Sequence, residues 1–347
     1  MNGLYIEFRD PLFGVIVFFL LIFVIALVAQ WWRYYRSNAN FKTVDHFIHQ
    51  FHSLPTQNEL QELIGHSQIS RKSWFLLAQT YTKTGDFEKS IEIYHSLFEH
   101  EKDQKERLNI LFLLGKTYFK AGFLERAKEL FIKILSQQPR SPQVLHYLLL
   151  VYEQLHEYQN AMDVLEPLDE LGEGIKIERI YLSAQMLLND AKLDSEHKVD
   201  MLVHLYKEYH NLSYLIFEYL FKHAPQIAWL HLDQSQCHRL SDILWRLERD
   251  TCDFDVISQN SYLRELFSAK GYMNLASKSD ILELDILIKL QRMEEKDVTL
   301  QFEYLCQSCK QESPFSFHRC PQCYAIDSVQ SIPILAKAHN ETHFSFQ

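Results

Sequence analysis

Glycine and proline are scarce in this chain, nine of each in 347 residues, against a combined average of roughly 12%. That excludes collagen-like and Pro/Gly-rich disordered chains and disfavours an all-β fold with many tight turns. Cysteine is sparse too: six residues in a chain of this length are no disulfide framework, so their placement is what matters. A positive charge excess is missing. Lys+Arg total 35 against 45 Asp+Glu, a net charge of −10 with neutral histidine, which argues against nucleic-acid binding, since phosphate neutralisation needs a basic surface. What is present is ordinary for globular chains: 47% hydrophobic and 23% charged residues, enough for a sizeable core. The length is about twice a ~150-residue domain and predicts two or three units.

Long apolar runs are also absent, with one exception. Leu12 to Ala29 is an unbroken apolar or small stretch of 18 residues, which spans about 27 Å as a helix, close to a ~30 Å hydrocarbon core. Trp31, Trp32, Tyr34 and Tyr35 follow as an interfacial aromatic belt. A cleaved signal peptide normally has a basic start and a shorter apolar stretch. Here Glu7 and Asp10 outnumber Arg9, so the reading is an uncleaved anchor. Arg33, Arg36 and Lys42 flank it on the C-terminal side, and the positive-inside rule places the bulk of the chain in the cytoplasm. The resulting layout is a short non-cytoplasmic segment at 1–10, a transmembrane helix at 11–32 and a helical linker at 33–70.

Beyond the linker the sequence repeats. Tyr118 and Tyr152, Ala127 and Ala161, and Leu114 and Leu148 are each 34 residues apart, a period that marks helix–turn–helix repeats. One unit carries Leu114-Gly115, Tyr118, Gly122, Ala127, Phe131 and Pro139, nearly the full tetratricopeptide pattern. An earlier unit has Trp74, Leu77-Ala78, Tyr81, Gly85, Ser90 and Tyr94, offset by three extra residues in the charged connection 99–106. A third has Leu145, Leu148, Tyr152, Ala161 and Leu165 but lacks the glycine. Three repeats are therefore read over 71–171. Apolar residues at helical spacing, such as Tyr214, Phe217, Leu220 and Phe221, continue as degenerate helical hairpins over 172–296. The expected fold class is mainly α: membrane helix, α-solenoid and a small C-terminal metal ribbon.

That ribbon is read at 297–335, with a tail at 336–347. Cys306-Gln-Ser-Cys309 and Cys320-Pro-Gln-Cys323 are separated by ten residues. Two CxxC turns can bring four thiolates tetrahedrally onto one soft divalent ion, zinc or iron, with all coordination positions closed. Leu300, Phe302 and Tyr304 alternate into the first turn, and Phe315 and Phe317 lead towards the second, so the segment reads as a β-ribbon stapled by its metal. Redox CxxC pairs belong beside a βαβ pattern, which is lacking. His318 is superfluous to a saturated site, and Cys237 and Cys252 read as semi-buried thiols. No H-E-x-x-H, P-loop or nucleophile elbow occurs, so no enzyme is indicated.

Anchor, tetratricopeptide repeats and terminal double-CxxC ribbon, in this order, resemble the lipopolysaccharide assembly protein B family of Gram-negative bacteria. The most specific piece runs from Tyr304-Leu-Cys-Gln-Ser-Cys309 to His318-Arg-Cys-Pro-Gln-Cys323 and is similar to that family's rubredoxin-type ribbon. Lys310 stands where the family often has glycine. The resemblance implies an inner-membrane, cytoplasm-facing adaptor that links the deacetylase of early lipid A synthesis to the membrane protease FtsH, with no nucleic-acid partner. By likeness to tetratricopeptide proteins, a partner groove maps onto Lys72, Phe75, Gln79, Thr82 and Lys83, then Asn109, Phe112, Lys116, Phe119 and Lys120, then Gln143, His146 and Leu150. Its lysines and aromatics suit an acidic or C-terminal peptide, although exposed helical lysines are equally often plain solvent contacts.

Overall fold

The computed structural model describes residues 70–210, 212–295 and 297–338. The anchor read at 11–32 and most of the linker and tail lie outside these residues. Among the described residues no helix is long and apolar enough to cross a membrane. The chain divides into two compact units at Pro139/Arg140.

The first unit contains two helical hairpins. Helices α1 (Arg71–Thr84) and α2 (Phe87–His100) form one, and α3 (Gln104–Lys120) and α4 (Leu124–Leu135) the other. The Ser70 and Asp103 side chains cap α1 and α3 by accepting from the amides of Ser73 and Glu106, satisfying donors that a helix start leaves open. Gly85 and Gly122 adopt φ of 88° and 81° and turn each hairpin where a β-carbon would be strained. The repeating residues Trp74, Leu77, Ala78, Tyr94, Leu114, Tyr118, Ala127 and Phe131 are all buried. The extra residues of this repeat lengthen the helices, α2 and α3 having 14 and 17 residues against 12 in α4. They leave the short connection Glu101-Lys102-Asp103, in which buried Glu101 pairs with Arg71 and accepts the amides of Lys102 and Asp103.

The second unit starts with hairpins α5 (Pro142–Gln154)/α6 (Tyr158–Glu170) and α7 (Lys176–Asn189)/α8 (Ser195–Glu208). In the first of these His156 takes the glycine's turn position at φ 59°, its Nδ1 2.7 Å from the Tyr158 hydroxyl. Helix α9 (Ser213–His223) buries Leu215 and Ile216 as well as Tyr214, Phe217, Leu220 and Phe221. A helix apolar on most sides sits inside a core rather than on its edge. Short helices follow: α10 (Pro225–His231), α11 (Ser241–Arg246), α12 (Phe254–Gln259), α13 (Ser261–Ala269) and α14 (Leu282–Arg292). The expected uniform hairpins therefore give way, after α9, to helices of six to eleven residues.

The C-terminal sheet has three antiparallel strands in the order β2-β1-β3. Strands β1 (Val298–Cys306) and β3 (Val329–Lys337) pair from Val298↔Lys337 to Cys306↔Val329, and β2 (Glu312–Ser313) is a two-residue edge. Leu300, Tyr304 and Cys306 alternate inward, as period-2 patterning requires. Both long strands pack on α11 and α14. The sheet is thus not a free-standing ribbon held by metal alone, as its small size suggests, but one face of the second unit's core.

Candidate metal centre

The two cysteine turns share one construction. In each, the residue after the second cysteine donates its amide to the first cysteine's carbonyl, Lys310 to Cys306 and Tyr324 to Cys320, both at 2.9 Å. Closing so tight a turn needs a left-handed residue, and Lys310 and Tyr324 have φ of 60° and 62°. The first cysteine's amide then bonds across the loop, Cys306 to Gln311 and Cys320 to Ala325. The pair Arg319↔Ile326 closes the second turn as an isolated bridge.

This brings the sulfurs of Cys306, Cys309, Cys320 and Cys323 within 4.8 Å of one another. Cys306 and Cys323 are 3.6 Å apart, and Cys309 and Cys320 3.8 Å. The edge of a tetrahedron with ~2.3 Å metal–sulfur bonds is about 3.8 Å, whereas a disulfide needs about 2.05 Å. The spacing suits a cation, and the four residues could hold one. Charge argues the same way. Burial opposes ionisation of Cys306, but the Ser328 hydroxyl and the amides of Cys309 and Ser308 pull it down to about 6. Cys323 is pushed up to about 12 by desolvation and by the neighbouring sulfurs of Cys309, Cys306 and Cys320. Ionising all four sulfurs at this distance would need a positive ion between them. Cys306 and Cys320 are buried, while Cys309 and Cys323 are exposed.

The other cysteines stay apart from the cluster. Cys237 is buried and its thiol raised to about 12 by burial, and half-buried Cys252 is raised to about 11 for the same reason. His318 is engaged with α9, its Nε2 2.7 Å from Glu218 Oε2.

Sequence reasoning missed what surrounds the sulfurs. Arg319 Nε lies 2.8 Å from Glu153 Oε2 of α5, and both side chains are nearly buried. The same guanidinium sits over the Tyr181 ring of α7 at 5.0 Å. Burial pushes the Glu153 carboxyl up against the opposing pull of Arg319. Tyr324 meets Tyr147 of α5 edge-on at 6.2 Å. Arg239 pairs with Asp327 at 3.1 Å and donates to its carbonyl at 2.7 Å. Under β1, Asp242 is fully buried and accepts from the hydroxyls of Tyr214 at 2.6 Å and Tyr304 at 2.9 Å. Arg246 donates to both Asp242 and Tyr304. Burial, then the Asp242 charge, push Tyr304 up to about 12, so this tyrosine acts as a neutral donor. A lone acid inside an apolar helix, as in Leu148-Leu149-Leu150-Val151-Tyr152-Glu153, is the available signal.

The groove positions divide. Lys72, Gln79, Lys83, Asn109, Lys120 and Gln143 are exposed, and Phe75 and Phe112 are half-buried. Lys116 lies over the Phe112 ring at 5.5 Å. Thr82 is engaged inside the first unit with Ser90 and Thr117, and His146 faces Glu173 at 3.6 Å. Phe119 and Leu150 are buried and belong to the cores of their own units.

With this geometry in place, residues 72–97 match the tetratricopeptide repeat family model. The chain carries a tetratricopeptide repeat. It coincides with α1 and most of α2, and the hairpin geometry recurs in α3–α4. No curated protein matches the sequence. Solved structures similar to it include a tetratricopeptide repeat protein from Parabacteroides merdae, 13% identical over 72% of this chain and 96% of that one, with a TM-score of 0.36. A thermophilic tetratricopeptide protein of Thermus thermophilus is 15% identical over 56% and 99%, at 0.27. The protein MamA (AMB-1) is 18% identical over 46% and 85%, at 0.33.

Proposed function

We propose that this chain is an adaptor of the bacterial inner membrane, anchored by residues 11–32 and facing the cytoplasm, that regulates lipopolysaccharide synthesis. In this reading it connects the lipid A pathway deacetylase with the FtsH protease. The observation that carries it is the pairing of a tetratricopeptide hairpin with a four-cysteine cluster, which together with the anchor read at 11–32 is the basis of the resemblance to the lipopolysaccharide assembly protein B family. The cluster would hold one iron or zinc ion through Cys306, Cys309, Cys320 and Cys323. Its role is structural: four thiolates leave no open position for substrate, so no catalysis is assigned. Lys83, Asn109, Phe112, Lys116 and Lys120 are the candidates for gripping an acidic partner segment.

Affinity capture of the full chain from membranes tests this reading. Deacetylase and protease should co-purify with the unaltered chain, and less of both after Cys323→Ser. Charge reversal at Lys83 and Lys120 should weaken capture without changing metal content. Absence of both enzymes from every capture would leave a tetratricopeptide scaffold for some other envelope process. A C-terminal reporter active only in the cytoplasm is required by the anchor; a soluble chain beginning near Gln30 would overturn it.

A further inference from the structure

The second cysteine turn lies across α5 and α7, the first helices of two successive hairpins, and across α9, which follows them. Arg319 reaches Glu153 on α5 and Tyr181 on α7, Tyr324 reaches Tyr147 on α5, and His318 reaches Glu218 and Tyr214 on α9. Helical repeats take their ligands on surfaces built by stacking equivalent elements in this way. Here the chain itself fills that surface, and it does so as a bound peptide would: one arginine paired with a carboxylate, stacked over an aromatic ring and flanked by a second aromatic. Only about a tenth of the Arg319 side chain is exposed, and an eighth of Glu153.

The surface offers more than its occupant uses. Glu178, one turn before Tyr181 on α7, buries its Oε2 without a hydrogen-bond donor among the described residues, and its charge bears on Glu153. Two carboxylates therefore lie near each other on this surface, and only Glu153 is paired with the Arg319 guanidinium, an acidic setting complementary to an arginine side chain. The occupant spans two of the four sulfurs: Cys320 and Cys323 lie between Arg319 and Tyr324, and outside the cysteine turn its backbone is paired by the bridge Arg319↔Ile326 and the Asp327 amide on the His318 carbonyl. Cys309 and Cys323 are exposed residues, so an ion held by the four sulfurs would be open to chelators.

We propose that α5, α7 and α9 form a binding groove for an arginine-bearing peptide segment, that residues 318–324 are its resident ligand, and that loss of the metal vacates it. This rests on the four-cysteine metal reading for the gating step, and on the protein geometry alone for the groove. With metal bound, the tethered Arg319 is pre-organised and outcompetes a free segment, because its effective concentration is high and its ordering cost is already met. Without metal that advantage falls and an arginine flanked by aromatics from a partner can take its place.

The test uses the full chain in detergent and a fluorescent peptide copying residues 316–326, with Cys320→Ser and Cys323→Ser so that it takes up no metal. The metal-loaded chain should bind it weakly, and the chelated chain at least ten-fold more tightly. Arg319→Gln in the metal-loaded chain should bind the peptide equally well with unchanged metal content, and adding Glu153→Gln should abolish this. A peptide with its own arginine changed to Gln should bind none of these chains. A folded, metal-loaded Arg319→Gln chain that ignores the peptide overturns the groove. Tight binding to that variant but not to the chelated chain overturns the metal gating. A chain that takes up no metal at all refutes the four-sulfur assignment instead, leaving the Arg319→Gln result to decide the groove.

Discussion

Lys310 and Tyr324 occupy the same left-handed position in the two cysteine turns, but they are not equally replaceable. The Tyr324 ring packs on Tyr147, so glycine there would remove a contact along with the strain. Lys310 is exposed. Left-handed backbone costs a residue with a β-carbon ~1–2 kcal/mol, and glycine gives back ~0.4–1 kcal/mol through the freer unfolded chain. Lys310→Gly should therefore stabilise the first turn by about 0.5–1 kcal/mol, measured as slower metal release to a chelator or a higher urea midpoint; a faster release would show that the turn is unstrained. Glu218 gives a pH signature. Its carboxyl is held below the usual range first by the hydrogen bond from His318, so its contribution is present above ordinary carboxylate pKa values and is lost as pH falls through the lowered one. Between neutral and acid pH the native chain should lose more stability than Glu218→Gln, and parallel curves would refute the link. The cysteines were legible from spacing alone because both turns are local. His318 and Glu218 stand 100 residues apart, and no local pattern announces such a pair.

At the scale of helices, the repeat residues explain each other. Gly115 on α3 faces Phe131 on α4, and a β-carbon there would lie 2.6 Å from the ring. Phe131 is fully buried, so it has nowhere to retreat, and the close approach of the two helices depends on the missing side chain. Gly115→Ala should cost about 1–3 kcal/mol by overpacking, while the same change at exposed Gly174, where no atom lies within 4 Å, should cost far less. Equal thermal shifts for the two variants would contradict this. Ser90 shows the reverse adjustment: it occupies the small-residue position of the first hairpin and is fully buried because its hydroxyl bonds the Ala78 carbonyl. Such hairpins were readable because a period of 34 fixes helix, turn and helix together. Helices α10, α11 and α12, six or seven residues long, show less than two turns of periodicity each, and they are placed by tertiary packing that no window of sequence contains.

Across the second unit, four charged or polar links fasten the sheet and cysteine turns to the helices: Asp242 with Tyr304, Arg239 with Asp327, Glu218 with His318, and Glu153 with Arg319. The short span 297–335 reads in sequence as a module that would loosen by itself on metal loss, leaving the helices unchanged. The structure changes that expectation, because the partners of three of these links lie in or beside the second cysteine turn. Removing the metal should free Arg319 and Asp327 together, leaving Glu153 and Arg239 as part-buried charges without partners, a costly state. Cys320→Ser or chelation should therefore raise hydrogen exchange in α5, α7 and α9 as well as in 300–330. Tyr304→Phe removes a donor to the buried Asp242 carboxylate at an expected cost of about 1–3 kcal/mol. Because Tyr304 lies two residues from Cys306 on the same strand, this variant should also lose metal more readily. Metal loss confined in its effects to residues 300–330, with α5 and α7 exchanging as before, would show that the ribbon is an independent module after all.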